Sequence, residues 1–156
     1  MDTEDNTSIL ELYKLYVEMA DRVSARRLQM NKFYMSLLSG LVVILSFFLN
    51  KDYQTNIAPY HAAIIIAIGL LGCSICLIWN LNIFSSKQLN SKKFEVIHEM
   101  ERELPYPLFA REWKLLGEGK DNKRYLQYTK LERYVPIILS IPYLIMLIVG
   151  FLSIQF

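Results

Sequence analysis

Few residues in this chain are spaced to do covalent chemistry. Cys73 and Cys76 form a C-x-x-C pair, the spacing of a redox couple or of half a zinc site. No second cysteine pair and no nearby histidine completes such a site, and cysteine commonly fills small gaps between packed helices. The pair is expected to pack, with no metal or other cofactor. His61 and His98 are expected on opposite sides of a membrane, where they cannot cooperate. Glu95, Glu99, Glu101 and Glu103 alternate with Met100 and Arg102 and read as a solvated acidic face. The sequence has no glycine-rich phosphate loop. These features weigh against an enzyme.

Two other sets suit binding and conduction better. Arg111 and Lys114 flank Trp113, while Lys120, Lys123, Arg124 and Lys130 lie among Tyr125, Tyr128 and Tyr134. Cations meet phosphates and flat rings stack on bases, which is what a single-stranded nucleic acid requires. The competing reading is an ordinary solvated helix face, because acids share the region. Ser36, Ser39, Val43 and Ser46 fall on one stripe of an apolar segment, and Asn80 and Asn82 close another. Hydroxyls and amides suffice to line a pore. The same residues also suit close helix packing.

The elements that carry these residues are helices, and three of them are apolar. The blocks Phe33 to Leu49, Ile57 to Ser86 and Val135 to Phe156 contain no Asp, Glu, Lys or Arg. A helix needs roughly 20 apolar residues to cross a hydrocarbon layer about 30 Å thick. The second and third blocks reach that length, and Leu28, Met30 and a snorkelling Lys32 extend the first. A soluble helix would keep a polar stripe along its length. The reading is an all-α integral membrane protein with spans at about 33–49, 61–83 and 135–154. It forms a single domain whose cytoplasmic helical parts are 8–32 and 85–134.

Charge orients the spans. Five basic residues precede the first span, only Lys51 lies between the first two, eleven lie from Lys87 to Arg133, and none follows. By the positive-inside rule the N-terminus and the long loop are cytoplasmic and the C-terminus is outside. The acidic opening Met1-Asp2-Thr3-Glu4-Asp5 is unlike a cleaved signal, so the first span is expected to serve as an uncleaved anchor.

Outside the spans, Ser8 and Glu11 form a capping box, and Ile9, Leu12, Tyr16, Met19 and Val23 recur at helical spacing. This predicts a helix over 9–31 that runs on into the first span. Gly69, Gly72, Cys73 and Cys76 give the second span a small-residue face with Asn80 below it. A helix continuing from that span carries Leu89, Lys93, Val96, Ile97, Met100 and Leu104 on one face until Pro105 and Pro107 break it. Pro107 opens a short helix that Gly117-Glu118-Gly119 ends. A last helix over about 121–133 leads into the third span, where Pro136 and Pro142 either kink the helix or fit its start. The exposed apolar edges favour burial against copies of the same chain, in a homo-oligomer taken to be a tetramer.

The stretch from Leu12 to Tyr34, LYKLYVEMADRVSARRLQMNKFY, resembles the entry into the first span of the SLATT membrane effectors of bacterial conflict systems. Tyr16, Ala20, Arg22, Ser24, Arg26, Arg27, Asn31 and Phe33 match that pattern, and the segment from Trp79 to Ile97 also fits it. The likeness runs from Leu12 to Leu104. Here it departs by adding a third span and a further cytoplasmic segment. The resemblance implies a pore-forming effector in the bacterial inner membrane, working beside a nucleotidyltransferase. Within such systems the chain is most similar to the membrane-channel subunits of Hailong-type antiphage defence. That likeness implies a channel held shut by single-stranded oligodeoxyadenylate from the partner enzyme and opened when this DNA is lost. The alternative is a non-conducting membrane scaffold that recruits a cytoplasmic partner.

Overall fold

The computed structural model describes residues 3–48, 60–120, 125 and 128–155. Every element among them is helical: α1 (Thr3–Phe48), α2 (His61–Met100), α3 (Leu108–Leu115), a 3-10 turn (Gly117–Gly119), α4 (Tyr128–Glu132) and α5 (Tyr134–Gln155). Three of these are long and apolar enough to cross a membrane, over Thr7–Phe48, His61–Met100 and Tyr134–Ile154.

Helix α1 is continuous for 46 residues, as the absence of proline predicts. It begins before the expected cap at Ser8, because nothing from Thr3 to Thr7 is a proline or glycine that would stop it. Helix α2 runs through the second apolar block and on, but it ends at Met100 rather than carrying Leu104. Pro105 disfavours helical geometry at the residue before it. The chain leaves α2 through tight bonds, Arg102 N–H to the Glu99 carbonyl at 3.1 Å and Glu103 N–H to that of Met100 at 3.1 Å. Pro107 stands at the start of α3, as expected, without a side-chain capping bond. Gly117, Glu118 and Gly119 all take positive φ, which turns the chain after α3. Of the helix expected over 121–133, residues 121–124 and 126–127 lie outside the described residues; Tyr125 is not helical, and Tyr128–Glu132 is (α4). Pro136 fits the first turn of α5, where a missing N–H costs little, and Pro142 lies inside the helix.

The chain divides into two compact units. The first combines the chain up to Leu28 with Ile83–Leu131. Its core is Tyr13, Ala20 and Ile97, with Tyr16, Val17, Phe94, Met100, Leu104 and Phe109 packed against them. Phe109 meets Phe94 edge-on at 5.7 Å between ring centres, a favoured aromatic geometry. Lys93 is buried by its stem, and its ammonium lies 4.6 Å from the centre of the Tyr16 ring.

The second unit combines Gln29–Asn82 with the chain from Glu132 onward. Here the small-residue face of α2 meets α5. A Cβ on Gly72 would collide with the Tyr143 ring, and one on Gly69 would lie 2.9 Å from Leu147 Cγ and 3.0 Å from the Tyr143 carbonyl. Cys76 is buried, as the packing reading of the pair expects. The Tyr143 hydroxyl donates to the Leu38 carbonyl at 3.0 Å, which joins α5 to α1.

Candidate functional site

Within the second unit, α1 has two unlike sides. Tyr34, Leu38 and Leu41 are buried. Ser36, Ser39, Val43 and Ser46 are exposed. Successive residues turn by about 100° in a helix, so the two sets centre roughly 150° apart on the helix wheel. The hydroxyl stripe therefore points away from the packing that buries Tyr34, Leu38 and Leu41. Ser46 meets its own hydrogen-bonding need by donating to the Val43 carbonyl at 2.6 Å.

Asn80 does not join that stripe. It is half-buried, and its amide nitrogen lies 3.5 Å from the Arg133 carbonyl, at the approach to α5. Within one chain its amide is directed at helix-end backbone. Asn82 likewise donates to the Tyr34 hydroxyl.

The described members of the basic and aromatic set are solvent-facing. Arg111 lies over the Tyr106 ring, 5.4 Å from its centre, and donates to the Tyr106 hydroxyl. Lys114, Tyr125 and Tyr128 are exposed. Lys120 is exposed but pairs with Glu118 at 2.6 Å. Lys120 beside it, through a hydrogen bond and opposite charge, holds the Glu118 carboxyl below its ordinary range. Lys123 and Arg124 lie outside the described residues.

Two arrangements were not foreseen from the sequence. Glu101, expected on a solvated acidic face, is 1 % exposed. Its carboxylate accepts from the Tyr13 hydroxyl at 3.0 Å, the Phe109 N–H at 2.6 Å and the Ala110 N–H at 2.9 Å. It therefore satisfies free N–H groups in the first turn of α3, where Pro107 has no side chain to offer. The second is a polar tie among the spans. Trp79 Nε1 donates to Asn31 Oδ1 at 2.8 Å, and Asn31 Nδ2 donates to Glu132 Oε1 at 3.1 Å. Tyr34 stacks on Trp79 at 5.8 Å between ring centres. Asn31 and Glu132 stand just before the first and third apolar blocks and Trp79 lies inside the second, so part-buried polar contacts join the three. The signal was present in the placing of Asn31 and Glu132 beside the first and third blocks and of Trp79 within the second, but their mutual distance was not.

No group of three or more His, Cys, Asp or Glu among the described residues could hold a metal ion. What the arrangement offers is a hydroxyl-lined helix face in the apolar unit and an exposed cationic and aromatic surface in the other.

The model of one family, described as the octameric membrane protein family (8xMP), matches residues 10–152. The match supports a membrane family that forms oligomers; it does not extend to the SLATT or Hailong-type kinship expected from the sequence. No curated protein matches the chain, and no solved structure matches it.

Proposed function

Because the chain belongs to the octameric membrane protein family, we propose that eight identical copies surround a membrane pore lined by Ser36, Ser39, Val43 and Ser46 of α1. The observation that carries this reading is the hydroxyl stripe itself. It lies in an apolar segment, on the side of α1 opposite the buried Tyr34, Leu38 and Leu41. Exposed hydroxyls in an apolar segment suit water, and serine lines pores without the cost of a buried charge. Eight copies replace the tetramer expected from the sequence. Adjacent α1 helices spaced 8–10 Å apart would ring a bore on the order of 15 Å. Four helices at that spacing would leave almost none.

The copies sit in a bacterial inner membrane with the N-terminus cytoplasmic and the C-terminus periplasmic, a reading supported by the distribution of Lys and Arg. The pore serves as an effector of antiphage defence, gated by an acidic oligonucleotide from a partner nucleotidyltransferase. Support for this part comes from the SLATT-like entry motif and from the exposed Arg111, Lys114, Tyr125 and Tyr128. A ligand gates only by favouring one packing of the spans over another.

Purified protein in a planar bilayer tests the proposal. Stepwise currents are expected, and in a Ser39→Cys variant a charged thiol reagent should shift the unitary current. A silent bilayer, with and without single-stranded oligodeoxyadenylate, would overturn the channel and favour a scaffold.

A further inference from the structure

Identical chains inserted in one orientation cannot be related by a two-fold axis lying in the membrane plane, because that operation turns half of them upside down. The octamer proposed above, on which this inference rests, is therefore cyclic about the membrane normal. A cyclic ring of more than two copies joins one surface of each copy to a different surface of the next. Each chain must then carry two complementary patches rather than one self-complementary patch.

The first unit carries two such patches. On α1, Leu12 is 54 % exposed, Leu15 53 % and Met19 41 %. Their i, i+3, i+7 spacing sets them in one row, beside but apart from the buried Tyr13 and Ala20. On α3, Leu108 is 59 % exposed and Leu115 69 %, two turns apart on one face, while Phe109 packs into the core on another. The exposed leucines of the apolar spans have lipid to cover them. Those of the first unit do not, because its helices carry Lys14, Glu18, Arg22, Lys92 and Glu95 in ordinary solvated positions. Rows of aliphatic side chains left in water are costly and mark association surfaces.

We propose that the Leu12, Leu15 and Met19 row of one copy seats on the Leu108 and Leu115 face of the next, repeated around the ring. The occupant of each patch is thus the other patch on a neighbouring copy.

Cross-linking in membranes tests this with the full chain. Cys73 and Cys76 are replaced by Ala, and two differently tagged copies are co-expressed, one with Leu15→Cys and one with Leu115→Cys. A short thiol cross-linker should then yield a dimer carrying both tags, with little product when either variant is expressed alone. Self-linking of the Leu15→Cys copies as efficient as the mixed product would overturn the proposal, as would an octamer by native mass that gives no mixed product. In the native cysteine background, Leu15→Glu should lower the octamer fraction severalfold, and adding Leu115→Lys should restore it. An unchanged octamer in Leu15→Glu also overturns the proposal. Conductance is not the readout, so a silent bilayer defeats the channel without touching this interface. Failure of the mixed cross-link defeats the interface alone.

Discussion

Glu101 shows what a single side chain does in this fold. Its carboxylate joins the Tyr13 hydroxyl of α1 to two backbone N–H groups of α3. Replacing it with Ala leaves three donors without this acceptor in a nearly dry place, a loss of about 3 kcal/mol. Tyr13→Phe removes one bond and should cost about 1 kcal/mol. Hydrogen exchange separates the two: Glu101→Ala should strip protection from the Phe109 and Ala110 amides, whereas Tyr13→Phe should leave it largely in place. Retained protection in Glu101→Ala would show that α3 does not depend on this cap. The sequence offered no way to see this role. Glu101 stands among Glu95, Glu99 and Glu103, of which Glu95, Glu99 and Glu103 are exposed. What distinguishes it is the early end of α2 at Met100, which turns Glu101 toward α3.

At the scale of elements, the long helices were the most legible part. Uninterrupted apolar blocks and the lack of proline fix α1 and α2, and Gly69, Gly72 and Cys76 mark the face on which α5 packs. The end of α2 near Pro105 was less legible, because the helix gives way to local three-residue bonds a turn before the proline. The glycine face yields a paired test. Gly72→Val should drive a side chain into the Tyr143 ring and lower the thermal stability of the detergent-solubilised protein by several degrees, since overpacking costs about 1–3 kcal/mol. Gly40→Val is the control, because a Cβ there meets nothing within 4 Å. Equal losses in both variants would remove the packing role assigned to Gly72. Ser36, Ser39, Val43 and Ser46 are all exposed on one side of α1, while the half-buried Asn80 has its amide near the Arg133 carbonyl. Spacing alone identified the stripe. It could not identify Asn80's partner, which lies 53 residues away.

For the whole molecule, ligand gating predicts a definite electrostatic behaviour. Lys123→Glu combined with Arg124→Glu should weaken binding of a fluorescent single-stranded oligodeoxyadenylate by at least about tenfold. Raising salt from about 50 to about 200 mM should weaken binding to the unmodified protein as well, because phosphate contacts release counterions. Anisotropy that ignores both changes would place any such ligand elsewhere. Membrane residence and an oligomeric family were legible in composition and charge, but the number of copies was not, since no single chain encodes a ring size in its spacing.

The first unit is also discontinuous in the chain: its core takes Tyr13 and Ala20 from before the first two apolar blocks and Ile97 from after them. Tyr13 and Glu101 are 88 residues apart. At roughly 5–20 residues per second of synthesis, the ribosome needs on the order of ten seconds to make the second after the first. Throughout that interval the Tyr13, Val17 and Ala20 side of α1 is made but has no mate, while the first helical hairpin is being threaded into the bilayer. Closure of this core must therefore wait until both apolar blocks that separate its halves have been synthesised.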